Sequence, residues 1–212
     1  MVVLEPKLKA VAKTGRDSLY RAAREPALVQ VPAMSFLMVE GHGDPNTAQE
    51  YKDAITALYG MSYALKFALK KEAGLDCRVG PLEGLFWAND MADFGDRKTD
   101  WSWSMMIAQP DEVTPQRFAT MLEEVKRKRG LAALDRIRLG RFDEGLCAQI
   151  LHIGPFSAEG PSIDKLHAFI RSEGYSFDGR KQKHHEIYMS DPRRVAPARW
   201  KTVIRQPVAV SP

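Results

Sequence analysis

Cysteine is scarce in this chain, with Cys77 and Cys147 the only two among 212 residues. They form no C-x-x-C motif and no ligand cluster, which excludes a disulfide scaffold and argues for free thiols in a reducing cytoplasm. Long apolar runs are also missing, so no membrane contact is expected. The start, Met1-Val2-Val3-Leu4-Glu5-Pro6, is too short and too soon charged for a secretory signal. The five histidines show no metal-ligand spacing. His184 and His185 are adjacent and point to opposite faces of a strand, while His42, His152 and His167 fall in unrelated elements. There is no Ser-His-Asp order, Gly-x-Ser-x-Gly elbow, phosphate loop or dinucleotide fingerprint, and neither cofactor nor metal is expected.

Charge of one sign is little in excess, a formal +4, so nucleic-acid binding would need that charge gathered on one face. The dense basic run, Lys126-Arg127-Lys128-Arg129, closes a helix before Gly130. Cations there complement the helix dipole, and no aromatic residues interleave with them. The basic stretch from Lys7 to Arg24 is too short for a helix-turn-helix module with its own core. Direct contact with nucleic acid is therefore not expected. Hydrophobic residues make up 44% and charged residues 27%, which suits a soluble domain with a sizeable core.

The organisation is that of a repeat. Met34 to Glu40 reads as a buried strand broken by Gly41-His42-Gly43-Asp44-Pro45. The capping-box pattern Thr47-Ala48-Gln49-Glu50 then opens a helix carrying Tyr51, Ala54, Ile55 and Leu58 at helical spacing. That helix is expected to bend or restart at Gly60 and to end at Gly74. Two strands follow, Cys77 to Trp87 and Trp101 to Gln109, around an acidic loop from Asn89 to Asp100. Thr114-Pro115 starts a connecting helix. The second half again reads strand (Leu146 to Ile153), glycine break, helix (Pro161 to Glu173) and two strands (His185 to Ser190, Trp200 to Arg205). The expectation is an α+β fold of two pseudo-symmetric β-α-β-β repeats, about 34–110 and 144–206, joined by a helix at 114–129 and preceded by an arm at 1–30. Helices would lie on one side of antiparallel sheet, and the pocket between the lobes. An exposed sheet edge or the helix from Thr114 could support a homodimer.

Within this frame the segment His184-His185-Glu186-Ile187-Tyr188-Met189-Ser190-Asp191-Pro192 carries the chemistry. Alternation along a strand puts His184, Glu186 and Tyr188 on one face. A carboxylate there is costly unless it has a partner or a task. Glu83 on Leu82-Glu83-Gly84-Leu85-Phe86 aligns with Glu186 if the repeat is taken literally, and is the expected second carboxyl. Trp101, Trp103 and Met105 share a face, and Trp87 shares one with Glu83. Rings flanking a carboxylate attract flat lipophilic ligands and cations. Tyr63 on the first helix and His42 in the first glycine break join them as candidate binding residues. A glutamate in a water-poor aromatic cleft is expected to have its pKa raised to about 6 to 7, which suits proton transfer.

The strand His185-Glu186-Ile187-Tyr188-Met189-Ser190-Asp191-Pro192-Arg193-Arg194 resembles the signature of the GyrI-like small-molecule-binding proteins. Three pieces agree with it: Val31-Pro32-Ala33-Met34 leading to Gly41-His42-Gly43-Asp44-Pro45-Asn46, Pro81 to Trp87, and Trp101-Ser102-Trp103-Ser104-Met105-Met106. The resemblance implies a duplicated β-α-β-β fold with a cleft between the halves. It also implies relatives that sense drugs for transcription regulators, in which a cleft glutamate meets lipophilic cations between aromatic rings. Stand-alone relatives are associated with hydrolytic opening of cyclopropane rings in DNA-alkylating natural products. By that resemblance Glu186 is the cleft glutamate; for hydrolysis one carboxylate would be the general base to water, and a phenol such as Tyr188, or a second carboxyl with raised pKa such as Glu83, the acid. The expected partners are hydrophobic, cationic or electrophilic small molecules. The two readings are a hydrolase, and a protein that sequesters lipophilic cations without chemistry.

Overall fold

The computed structural model describes residues 16–91, 94 and 97–210. The basic arm expected from Lys7 to Arg24 lies outside the described residues up to position 15; its end forms one helical turn, α1 (Arg16–Leu19). Ten strands follow: β1 (Ala27–Val31), β2 (Met34–His42), β3 (Leu82–Ala88), β4 (Trp101–Gln109), β5 (Arg138–Phe142), β6 (Gly145–Ile153), β7 (Tyr175–Ser176), β8 (His184–Tyr188), β9 (Lys201–Pro207) and β10 (Ala209–Val210). Three long helices are interleaved with them, α2 (Gln49–Ala73), α3 (Pro115–Arg129) and α4 (Gly160–Ser172).

Eight strands make one antiparallel sheet in the order β1-β6-β9-β8-β3-β4-β2-β5. The repeat is written in that order. β2-α2-β3-β4 and β6-α4-β8-β9 each place their last strand between the other two, and the halves meet where β8 pairs with β3. The correspondence reaches single hydrogen bonds. Gly43 N–H donates to the Trp101 carbonyl at 2.8 Å, and Gly154 N–H to the Trp200 carbonyl at 3.0 Å. Both indoles in turn donate to a loop carbonyl, Trp101 to Phe94 at 2.6 Å and Trp200 to Val195 at 2.7 Å.

Two links curl the sheet. Only Pro32 and Ala33 separate β1 from β2, and only Asp143 and Glu144 separate β5 from β6, yet each pair sits near opposite ends of the strand order. Two residues span too little for a flat sheet of eight strands. The ends therefore approach one another without closing, and the sheet has an inner and an outer face. The inner face packs Val29, Val31, Phe36 and Met38 from β1 and β2 against Leu85, Met106 and Cys147. On the outer face α2 and α3 cover β2, β4 and β3, with Leu58, Leu65, Leu69 and Val125 against Leu37, Trp103, Met105 and Ile107. α4 covers β6 and β9 through Leu166, Ile170, Ile150 and Ile204.

The helix ends show which sequence signals governed. Gly74 and Gly130 both take the left-handed conformation and cap α2 and α3, and Thr114 accepts the Arg117 N–H as N-cap of α3. The capping box at Thr47 does not form. Ala48 is the N-cap and has no side-chain hydrogen bond. The bend expected at Gly60 is absent as well, because α2 runs unbroken through it. That glycine serves packing: a Cβ there would stand 2.8 Å from Leu131 Cδ1. Lys126 pairs with Asp135 at 2.7 Å and Lys128 with Glu124, so two of the four cations of the basic run are paired within the domain.

Gly41 has the closest contact of this kind. It pairs with Trp103 across β2 and β4, and a Cβ on it would lie 2.2 Å from the indole. Gly41→Ala is expected to cost about 1–3 kcal/mol or more, since a buried ring must move. A urea unfolding midpoint indistinguishable from wild type would contradict this packing.

Candidate functional site: an outer-face cleft and an inner-face ion network

β8 splits its side chains as alternation requires. Glu186, Tyr188 and His184 face outward into the gap between α2 and α4, and His185 and Ile187 face inward. The Glu186 carboxyl is held at both ends: Tyr188 Oη donates to Oε2 at 2.8 Å, and His184 Nε2 lies 3.2 Å from Oε1. The Tyr51 hydroxyl on α2 lies beside that of Tyr188. Aromatic rings surround this chain of polar groups. Tyr51 stands edge-on to Trp103 at 5.2 Å, Phe94 stacks on Trp101 at 4.4 Å, and Phe156 meets Tyr188 at 5.4 Å and Trp200 at 4.9 Å. Tyr51 and Phe94 belong to the first half and Phe156 and Trp200 to the second, so the walls come from both repeats.

Burial pushes the Glu186 carboxyl up. The contacts with His184 and Tyr188 and the charge of Lys98 more than reverse it, leaving the pKa below the ordinary carboxylate value. This corrects the expectation of a raised pKa at Glu186: the base is ionised because its neighbours on the same face donate to it. The raised carboxyl is another one. Glu159, just before α4, is 5% exposed. Burial, and then the charge of Glu186, push it up to about 9. The two carboxyls are thus pushed apart, Glu186 down and Glu159 up, so that of the two Glu159 is the one that keeps its proton longer as pH rises. Burial first, then Glu186, also lift Tyr188 well above the ordinary phenol, so it keeps its proton.

Glu83 is not in this cleft. It pairs with Ile187, and Gly84 pairs with Glu186, so the two glutamates point to opposite faces of the sheet. Their sequence alignment is one residue out of register, and a one-residue slip reverses every side chain. Trp87, on the same side as Glu83, faces inward too, beneath Lys183 Nζ at 3.5 Å from its ring centroid. Trp103 and Met105 do face outward but are fully buried under α2, so they support the wall without forming its surface. Trp101 reaches the cleft's end through Phe94. Tyr63 is 45% exposed on α2, stacked between Tyr59 and Phe67. His42 lines a separate polar hollow of about 280 Å³ with Asn89, Asp90, Arg97 and Asp100, at the strand ends and away from Glu186.

Glu83 belongs instead to a buried network behind β8. His185 Nδ1 contacts Glu144 Oε1 at 2.7 Å, and its Nε2 lies 3.1 Å from Glu83 Oε2, an ion-pair approach without hydrogen-bond alignment. Tyr20 donates to Glu83 at 2.8 Å. Arg205 bonds Glu144 at 3.1 Å, Gln149 at 3.2 Å and the Leu19 carbonyl at 2.5 Å. Burial alone would push His185 down; Glu144 first and Glu83 after it raise it to about 9. A folded-state value above the unfolded one (about 6.5) means stabilisation that is complete below about pH 6.5 and lost as pH rises through about 9. Glu159, raised in the same direction, adds to the loss. His185 alone is expected to cost on the order of 3 kcal/mol of stability between pH 6.5 and 9, and Glu159, whose loss begins near its ordinary carboxylate pKa, about as much again. Urea midpoints across that window test it, and a flat profile would contradict a charged His185.

The pieces missed in the sequence are Tyr51, Glu159, Phe94, Phe156 and Trp200. Trp200 had a signal, its equivalence to Trp101 through the glycine breaks. Tyr51 was read only as part of an apolar stripe.

The fold and this cleft define a small-molecule-binding α+β protein. The family profile of the GyrI-like small molecule binding domain matches residues 24–209, and the chain belongs to that family. An uncharacterized conserved protein from Listeria innocua is 37% identical, with 92% of this chain and 97% of that one covered and a TM-score of 0.86. A hydrolase from Listeria innocua is 36% identical over 91% of this chain and 96% of that one, with a TM-score of 0.80. The C-terminal domain of EcmrR, 13% identical over 88% of this chain and 98% of that one, shares the fold at a TM-score of 0.55. Among curated proteins none matches. No helix among the described residues is long and apolar enough to cross a membrane.

Proposed function

We propose that the cleft takes flat, hydrophobic, electrophilic compounds and opens a cyclopropane ring conjugated to a ketone by adding water. The observation that carries the reading is the placement of Glu186, 8% exposed and held by Tyr188 and His184 between rings from both lobes. An oriented, little-hydrated carboxylate is a competent base for a water attacking the strained carbon, worth about a hundredfold to ten-thousandfold in rate. The aromatic walls supply affinity for a planar ligand. The similar Listeria protein described as a hydrolase agrees with the reaction class.

A second reading rests on the same charge. A carboxylate among ring faces attracts lipophilic cations, and the cleft would then hold them without chemistry. Incubation with a cyclopropane-fused cyclohexadienone, followed by mass spectrometry, separates the two. A released product heavier by one water is expected. Intact compound that elutes with the protein would overturn hydrolysis and leave binding.

A further inference from the structure

We propose that Glu159 is the proton donor of the cleft, working opposite Glu186 as base. The proposal rests on the hydrolytic reading above and adds the acid which that reading lacks.

Glu159 occupies the N-cap position of α4, where a carboxylate ordinarily accepts hydrogen bonds from the first turn. Here the side chain makes no capping bond. It turns away from the helix into the domain, where its Oε1 is buried without a hydrogen-bond partner. Its neighbours are Phe156, whose carbonyl accepts the Glu159 N–H and whose ring meets Tyr188 at 5.4 Å, and Thr202 on β9, whose hydroxyl is likewise buried without a hydrogen-bond partner. Thr202 is paired in register with Tyr188, on the same outer face. Glu159 therefore reaches the sheet one strand from the Tyr188–Glu186 pair, on the α4 side of the cleft. Glu186 approaches from the floor.

An unpartnered carboxyl in such a place is costly unless it is neutral and has a use. The raised pKa of the group accounts for its neutrality. The use follows from the placement: an acid on the α4 side and a base on β8, with the Phe156 ring, which meets Tyr188 and Trp200, beside them. In the reaction, Glu186 takes a proton from water as the water oxygen bonds to the cyclopropane methylene carbon. The carbon–carbon bond breaks, and its electron pair passes through the conjugated system to the ketone oxygen. That oxygen takes the proton of Glu159, giving a phenol. Return of the proton from Glu186 to Glu159 restores the pair, and the net change is the addition of one water. Tyr188 holds Glu186 in place and is a weaker candidate for the acid, since its hydroxyl is already donated to the base and its pKa is far above neutrality.

Glu159→Gln tests this, because a neutral amide replaces a neutral acid of the same shape and the fold should persist. With a cyclopropane-fused cyclohexadienone as probe, turnover is expected to drop about a hundredfold to ten-thousandfold. Affinity for the probe should stay within a few-fold, and the alkaline limb of the wild-type pH–rate profile near pH 9 should vanish. Infrared difference spectra at pH 7 should show a protonated carboxyl in the wild type that is missing in the variant. Wild-type rate and an unchanged pH profile in Glu159→Gln would overturn the proposal alone. Wild-type protein that leaves the probe intact would overturn the hydrolytic reading, and the proposal with it.

Discussion

Glu186→Gln is expected to lower cyclopropane opening by about a hundredfold to ten-thousandfold while leaving the fold intact. The amide keeps the length of the side chain, and its oxygen can still accept the Tyr188 hydroxyl that now sits 2.8 Å from Oε2. It cannot take a proton from water. The loss should appear in kcat, because the walls that bind a neutral planar ligand are aromatic and untouched. Affinity for lipophilic cations should fall in the same variant, since their attraction depends on the charge. Single-turnover rates of wild type and variant with equal probe concentrations measure the first effect. A variant within a few-fold of wild type would show that Glu186 is not the base.

The second large effect concerns the far side of the same strand. Arg205→Met is expected to cost about 3–5 kcal/mol, because it leaves the buried Glu144 with only His185 of its two cations and strips the Leu19 carbonyl and Gln149 of their donor. The Arg205 side chain is fully buried and Glu144 nearly so, and the guanidinium also holds the Leu19 carbonyl and Gln149. A surface pair behaves differently. Arg193 bonds Asp191 through two nitrogens yet is 85% exposed, and Arg193→Ala should leave stability near that of wild type. Urea unfolding of the two variants side by side gives the contrast. Equal midpoints would mean that the inner network is hydrated and not the buried set described here. Replacing Arg205, Glu144 and His185 together with apolar residues should recover part of the loss, since a matched apolar filling often replaces a buried ion set at little cost. The network ties α1, β6, β8 and β9 behind Glu186, so a destabilised variant should also bind ligand less tightly.

Much of the outer face was legible from alternation alone. The period of two on β4 places Trp101, Trp103 and Met105 together, and on β8 it places Glu186 with Tyr188 and His184. The glycines ending α2 and α3 were readable because a left-handed residue after a helical stripe has few substitutes. The register between strands was not readable. Aligning Leu82–Phe86 with His185–Met189 by residue type puts Glu83 on Glu186, whereas the pairing that decides the face is set by the hydrogen bonds of β3 and β8. β1 and β5 escaped notice because they are short, half-exposed and lie at the sheet's two ends, so their patterns carry little apolar signal. Glu159 escaped because an acidic residue before Gly160 and Pro161 looks like an ordinary helix start. Its burial follows from how α4 lies on β9, which no local pattern encodes. The ionised state of Glu186, in contrast, had a local clue in His184, two residues back on the same face.

In the proposed reaction Glu186 activates water and does not itself bond to the substrate carbon. A single turnover in oxygen-18 water tests it most directly, with protein in excess over a cyclopropane-fused cyclohexadienone. The first product molecule is expected to carry one oxygen-18 on the former cyclopropane carbon. Product bearing ordinary oxygen, with the label appearing only on the second turnover, would mean that a carboxylate of the protein attacked the ring, and would contradict it.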